Sequence, residues 1–176
     1  MTEDFAHRLT LDRIRGGDRL DLVADEAERQ AIAKRLGLDS LKQLQAHVVL
    51  DRDGDRVRAT GRIAASLDQR CVVTGEPVAA HIDEPFDIAF VAEPKPNSPD
   101  EEIELGEQDC DLVFHDGGAI DLGAAIADTL ALALDPYPRS ASAEAVLKDA
   151  GVLSEEDAGP FAALAQLKKQ MGGDES

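Results

Sequence analysis

The sequence predicts an α+β fold: a curved antiparallel sheet of about five or six strands, with an amphipathic helix packed on it and further helices at its flanks. Three observations lead there. Three long runs between Leu44 and Phe90 alternate apolar and polar residues with the period of a strand. Tight-turn signals separate the runs, so successive ones pair as an antiparallel meander. Leu122, Ala125, Ile126, Thr129, Leu130 and Ala133 then recur at helical spacing, an apolar stripe suited to covering one face of a sheet. Closing such long strands into a full or partial barrel would remove their edges, so the expected sheet is compatible with a barrel-like form.

Phe5, His7, Leu9 and Leu11 alternate with polar or small residues, which predicts a half-buried first strand. Gly16-Gly17 ends it, and Leu20 and Leu22 suggest a short second strand. A helix is expected from Asp25 to Leu36. Asp25 and Glu28 have capping-box spacing, and Gly37 suits the position just past the helix end. Its apolar residues (Ala27, Ala31, Ile32, Leu36) make a weak stripe, so only partial burial is expected.

Leu44, Ala46, Val48 and Leu50 form one face of the next strand, and Asp53-Gly54 marks a hairpin turn. Val57, Ala59, Gly61, Ile63, Ala65 and Leu67 line the inner face of the following strand, alternating with Arg56, Arg58, Thr60, Arg62, Ala64 and Ser66. Gly75 and Pro77 mark a second reversal. Val78, Ala80, Ile82, Phe86, Ile88 and Phe90 make the apolar face of the third long strand, with Glu84-Pro85 expected as a bulge or an edge feature. An acidic, proline-bearing loop is expected at about 93–111, and Leu112 to Phe114 return as a short strand. Asp116-Gly117-Gly118 reads as a turn, Asp121 as a helix cap, and Asp135-Pro136-Tyr137-Pro138 as a helix stop. A partly helical connector (140–151), a last short helix within 154–169 and a frayed tail complete the chain.

The 176 residues are expected to form one domain, 1–176. Aromatic residues are only 3%, so the core must be aliphatic. The formal charge of -18 repels nucleic-acid phosphates and anionic membranes and is complementary to a basic partner. The start, MTEDFAHRLT, lacks a basic region followed by an apolar run, and no apolar run is long enough to span a bilayer. Two cysteines make no disulfide framework. A cytoplasmic protein with reduced thiols and no membrane partner is expected.

The chemistry-bearing residues are scattered. His7, His47, His81 and His115 stand singly, and Cys71 and Cys110 form no close pair, so no metal site is expected. Cys71 could meet His81 across a hairpin, but no spacing requires it. No phosphate loop and no nucleophile elbow is present. Catalytic and cofactor-binding residues are therefore expected to be none, with no small-molecule substrate. Arg56, Arg58, Arg62 and Arg70 share one strand phase and could contact RNA phosphates. No aromatics interleave for stacking, and Asp83 and Asp87 on the facing strand offer ion-pair partners.

Three segments, in order, resemble the YceD family, the large ribosomal RNA subunit accumulation proteins. They are Asp68-Gln69-Arg70-Cys71 with Gly75-Glu76-Pro77-Val78, then Ala119-Ile120-Asp121-Leu122-Gly123 running through Leu130, Leu132 and Leu134 to Pro136 and Pro138, and lastly Gly159-Pro160-Phe161-Ala162-Ala163-Leu164 with Leu167-Lys168. The chain departs from the family in having Asp68 where the first of two paired cysteines stands, and in lacking a cysteine after Pro138. The resemblance implies a bacterial cytoplasmic factor for accumulation or processing of 23S rRNA, and no catalytic residue can be carried over. The expected partner is a basic ribosomal protein or a pre-large-subunit particle. The expected contacts are Arg70, Cys71, Glu76 and Pro77 at the hairpin and Asp100, Glu101, Glu102 and Glu104 in the acidic loop. Direct rRNA contact through Arg56, Arg58, Arg62 and Arg70 is the alternative; an RNA-processing hydrolase using Cys71 or His81 is the remote one.

Overall fold

The structure, a computed structural model, describes residues 5–93 and 111–152. The acidic loop apart from Glu93 and Asp111, the expected last helix and the tail lie outside the described residues.

Its centre is a meander of three long strands, β3 (Ser40–Asp53), β4 (Arg56–Arg70) and β5 (Pro77–Ala92). The β3–β4 turn is Gly54-Asp55, with Gly54 at φ 61, a left-handed value that glycine accepts without steric cost. β2 (Asp18–Val23) adds antiparallel to β3, and β6 (Asp111–His115) adds parallel to β5, giving the order β2-β3-β4-β5-β6. β1 (Arg8–Thr10) and β7 (Ala119–Asp121) pair as a separate two-stranded ribbon. The first strand is thus shorter than its alternation predicts, because a single 3-10 turn, Leu11–Arg13, takes over at Leu11.

The sheet is open. Its end strands β2 and β6 do not meet, so the barrel-like expectation is corrected. Instead of closing on itself, the sheet has its inner face covered. α2 (Leu122–Ala133) lies against β4, β5 and β1, and buries Leu122, Ala125, Ile126 and Leu130 in one core with Leu44, Val48, Ile63, Leu67, Ile88 and Phe90. Asp121 caps α2 by accepting the Ala124 N–H at 3.0 Å. Gly123 lets the chain approach closely, since a Cβ there would lie 1.9 Å from the Phe5 carbonyl oxygen. α1 (Glu26–Leu36) packs beside β3. The expected capping box is present: Glu28 N–H donates to the Asp25 carboxylate at 2.9 Å, and Asp25 N–H to Glu28 at 2.7 Å. Gly37 follows in the left-handed region. Ile32 and Ala33 are its buried anchors. A short helix, α3 (Ala143–Asp149), occupies the connector.

The expected bulge at Glu84-Pro85 is absent: Ile63↔Glu84 and Arg62↔Pro85 pair in unbroken register. The segment is an edge feature instead. β6 begins opposite Ile88, so among the described residues no strand flanks β5 on its other side at Pro85, where a missing N–H needs no ladder partner. The register shift lies in β3, between Leu41 and Gln43.

Candidate functional site

The β4–β5 turn and the segment after α2 form a polar cluster that rests on Cys71. β4 ends at Arg70, which pairs with Pro77, and Cys71 N–H donates to the Glu76 carbonyl at 2.8 Å, closing the turn. Gly75 makes the reversal at φ 74. Cys71 is buried, and its Sγ accepts N–H groups from Val73 and Thr74 at 3.4 Å each and from Ser140 at 3.2 Å. Burial pushes the thiol up, and hydrogen bonds from Ser140 and Thr74 outweigh it, taking it down to about 6. Cys71, one of the expected hairpin contacts, is thus buried and serves as a backbone-amide acceptor.

Glu76 extends the cluster. Its carboxylate accepts from Ser142 Oγ at 2.5 Å and from Thr74 Oγ1 at 3.0 Å, and Thr74 Oγ1 lies 3.0 Å from Ser140 Oγ. Hydrogen bonds from Ser142, Ser140 and Thr74 hold this carboxyl below its ordinary range. The Val72 N–H donates to the Pro138 carbonyl at 2.9 Å, and Gln69 Nε2 donates to the Asp135 carbonyl at 2.8 Å. The helix stop after α2 is thereby stitched to the end of the β4–β5 hairpin. The structure so brings together Arg70, Cys71, Glu76 and Pro77, the expected hairpin contacts. Asp100, Glu101, Glu102 and Glu104 lie outside the described residues.

Cys71 and His81 are not brought together. His81 pairs opposite Ser66, up the hairpin from the turn, and its Nδ1 lies 3.1 Å from Ser66 Oγ. The three donors to Cys71 Sγ are all backbone amides, so no imidazole base sits on the thiol. Among the described residues no group of three or more His, Cys, Asp or Glu side chains converges as metal ligands.

The arginine stripe is engaged with carboxylates. Arg58 forms a two-point pair with Asp87, and Arg62 Nε donates to Asp83 at 2.5 Å, both diagonal neighbours on the facing strand. Arg70 donates to Asp39 at 2.5 Å. These contacts raise Arg62 and Arg70 and lower Asp87 from their ordinary values.

His115 is the residue that reading the sequence missed. It closes β6 and is buried. Nε2 donates to the Asp55 carbonyl at 2.7 Å, while Nδ1 accepts the Gly117 N–H at 2.9 Å. That donor set requires the neutral ring with its proton on Nε2. The ring thereby ties the β3–β4 turn to the 115–118 turn. The adjacent Asp-Gly-Gly was the available signal, since such a turn offers free amides to a neighbouring acceptor.

A family model described as large ribosomal RNA subunit accumulation protein YceD matches residues 59–168. The chain belongs to that family. The match takes in Arg62 and Arg70 of the stripe, the Cys71 cluster, β6, β7 and both helices that follow, and begins after Arg56 and Arg58. The curated proteins and the solved structures compared with the chain gave no match.

Proposed function

We propose that this protein is a non-enzymatic cytoplasmic factor that supports accumulation or processing of 23S rRNA by binding a basic ribosomal protein, or an assembly intermediate containing one, through its acidic surface. The observation that carries the reading is the family match joined to a formal charge of -18. Arg58, Arg62 and Arg70 are each held by a carboxylate, so the remaining acidic residues dominate the field that a partner meets. The two-point Arg58–Asp87 pair, and the Arg62–Asp83 pair whose carboxylate is as open to solvent as its cation, weigh against these two arginines as RNA contacts. The Arg70–Pro77 hairpin supplies the shaped contact and the acidic loop the attraction. Among the described residues no helix is long and apolar enough to cross a membrane.

The test is affinity capture with the full chain at low and high salt. Enrichment of ribosomal proteins or pre-large-subunit particles at low salt, lost at high salt, is the expected result. Capture of neither at low salt overturns the proposal.

A further inference from the structure

One corner of this acidic protein turns its positive charges outward. Between α1 and the start of β3 runs a groove of about 450 Å³, lined by Arg29, Gln30 and Lys34 of the helix and by Lys42 across from them. Lys42 Nζ lies 2.7 Å from Asp68, but the side chain of Lys42 is 57% exposed and that of Asp68 only 19%. Next to it, Arg70 pairs with Asp39, with side-chain exposures of 68% and 23%. In both pairs the carboxylate lies beneath and the cation faces water. Further along β4 the contrast shrinks or disappears: Arg58 and Asp87 are 44% and 33% exposed, and Arg62 and Asp83 are 57% and 66% exposed.

Two more cations stand on the groove without a carboxylate. Arg29 donates to the Ala24 carbonyl at 2.7 Å, and neither it nor Lys34 has an ion-pair partner among the described residues. Glu26 on the groove wall is engaged by Gln30 Nε2 at 3.3 Å. The corner therefore sets Arg29, Lys34, Lys42 and Arg70 against the two carboxylates that line the groove, Glu26 and the paired Asp39.

We infer that this corner is an RNA-backbone contact, in which Arg29, Lys34, Lys42 and Arg70 take successive phosphates of one strand. Flexible cations along a shallow groove suit phosphates, which need charge and spacing but no base readout. RNA rather than an acidic protein is the partner because the family's role concerns large-subunit ribosomal RNA. The contact is separable from the acidic-surface reading: it rests on cations, and although Arg70 belongs to both, Lys34 and Lys42 belong to this contact alone, so each reading can fail without the other. An assembly intermediate presents both a basic protein and its RNA, so the two faces could be occupied together.

The test is fluorescence anisotropy of the full chain with labelled single-stranded oligonucleotides of 23S rRNA sequence. Binding is expected at roughly 50 mM salt and should weaken steeply as salt rises, by about 0.7 in log Kd per tenfold salt for each phosphate neutralised. Lys34→Glu should weaken binding roughly fivefold or more, and Lys34→Glu with Lys42→Gln further, with a shallower salt slope. Lys34 has no ion pair among the described residues, so its reversal breaks no salt bridge there, and a urea midpoint close to the parent chain's confirms that the fold is kept. The paired change Arg58→Gln with Arg62→Gln should leave affinity within about twofold, since these arginines lie outside the contact. Absence of binding at low salt overturns the inference. So does loss of affinity in the Arg58, Arg62 variant equal to that of Lys34→Glu, and so does polyglutamate competing as well as RNA.

Discussion

Two turns lie at opposite ends of the β4–β5 hairpin, one joining its strands and one following β6, and each is organised by one buried side chain that accepts backbone amides. At 71–76 the acceptor is Cys71 Sγ, which takes three N–H groups and is best served by a negative charge. At 115–118 it is His115 Nδ1, which takes one N–H only while the ring is neutral, with Nε2 donating to Asp55. The Cys71 turn gathers three elements at one end of the sheet's strands: the hairpin, the helix stop and the approach to α3. The His115 turn joins the β3–β4 turn to β6 and to the approach to α2. Amide donors left free in a turn must be satisfied, and the same need is met once by a soft anion and once by a neutral ring. The two ends should therefore differ in what breaks them.

The largest effect is expected at His115. His115→Ala leaves the Gly117 N–H and the Asp55 carbonyl without a partner and opens a void, together costing about 3 kcal/mol. Urea unfolding should show the lower midpoint with an unchanged slope. Hydrogen exchange at Gly117 should accelerate well beyond the global change. A loss below about 1 kcal/mol would mean that the ring is replaceable by water.

Cys71 comes next, and its signature is in pH. The thiol is held at about 6 in the folded chain against an ordinary 9.0. A depressed pKa stabilises above the ordinary value, and that contribution is lost as pH falls through about 6. Stability should accordingly rise between about pH 6 and pH 9. Cys71→Ser should flatten that rise and lower the urea midpoint less than His115→Ala does. An unchanged pH profile in Cys71→Ser would show that the amides do not hold a thiolate. Glu76→Gln should act on the same end with a smaller loss, seen as faster exchange at the Val72 amide, because the Ser142 and Thr74 hydroxyls lose their charged acceptor.

How much of this was legible varies with distance along the chain. The meander could be read because strand alternation and turn signals are local, and so could the Asp25 and Asp121 caps and Gly37. The β1–β7 ribbon could not: two strands of three residues each carry too little alternation to register, and Leu9↔Ile120 is a long-range pairing. Parallel docking of β6 on β5 was hidden because a strand of five residues fits either direction. Glu84-Pro85 left a bulge and an edge feature both open, and the edge holds because among the described residues no strand flanks β5 on its other side at Pro85. At the hairpin the sequence placed Arg70, Cys71, Glu76 and Pro77 together, yet the partners Ser140 and Ser142 come from across α2, which no local rule supplies. The cationic corner was missed for a different reason. Counting charges pairs Lys42 with Asp68 and Arg70 with Asp39 as neutral, whereas in each pair the cation's side chain is about three times as exposed as the carboxylate's.

The smallest expected effect isolates the backbone from the acceptor. Gly75 and Gly117 sit at φ 74 and φ 86, one in each turn, and a Cβ at either position would meet nothing within 4 Å. Substituting alanine therefore adds only the strain of the left-handed conformation, about 1 kcal/mol at each site. Equal losses in the two variants, read by urea midpoint, would place the whole difference between the turns in their acceptors. A larger loss for Gly117→Ala would mean that bending the turn also moves the 117 amide off the His115 ring. In that case the neutral ring is the less tolerant acceptor, because it has a single lone pair to offer where the sulfur of Cys71 accepts amides from several directions.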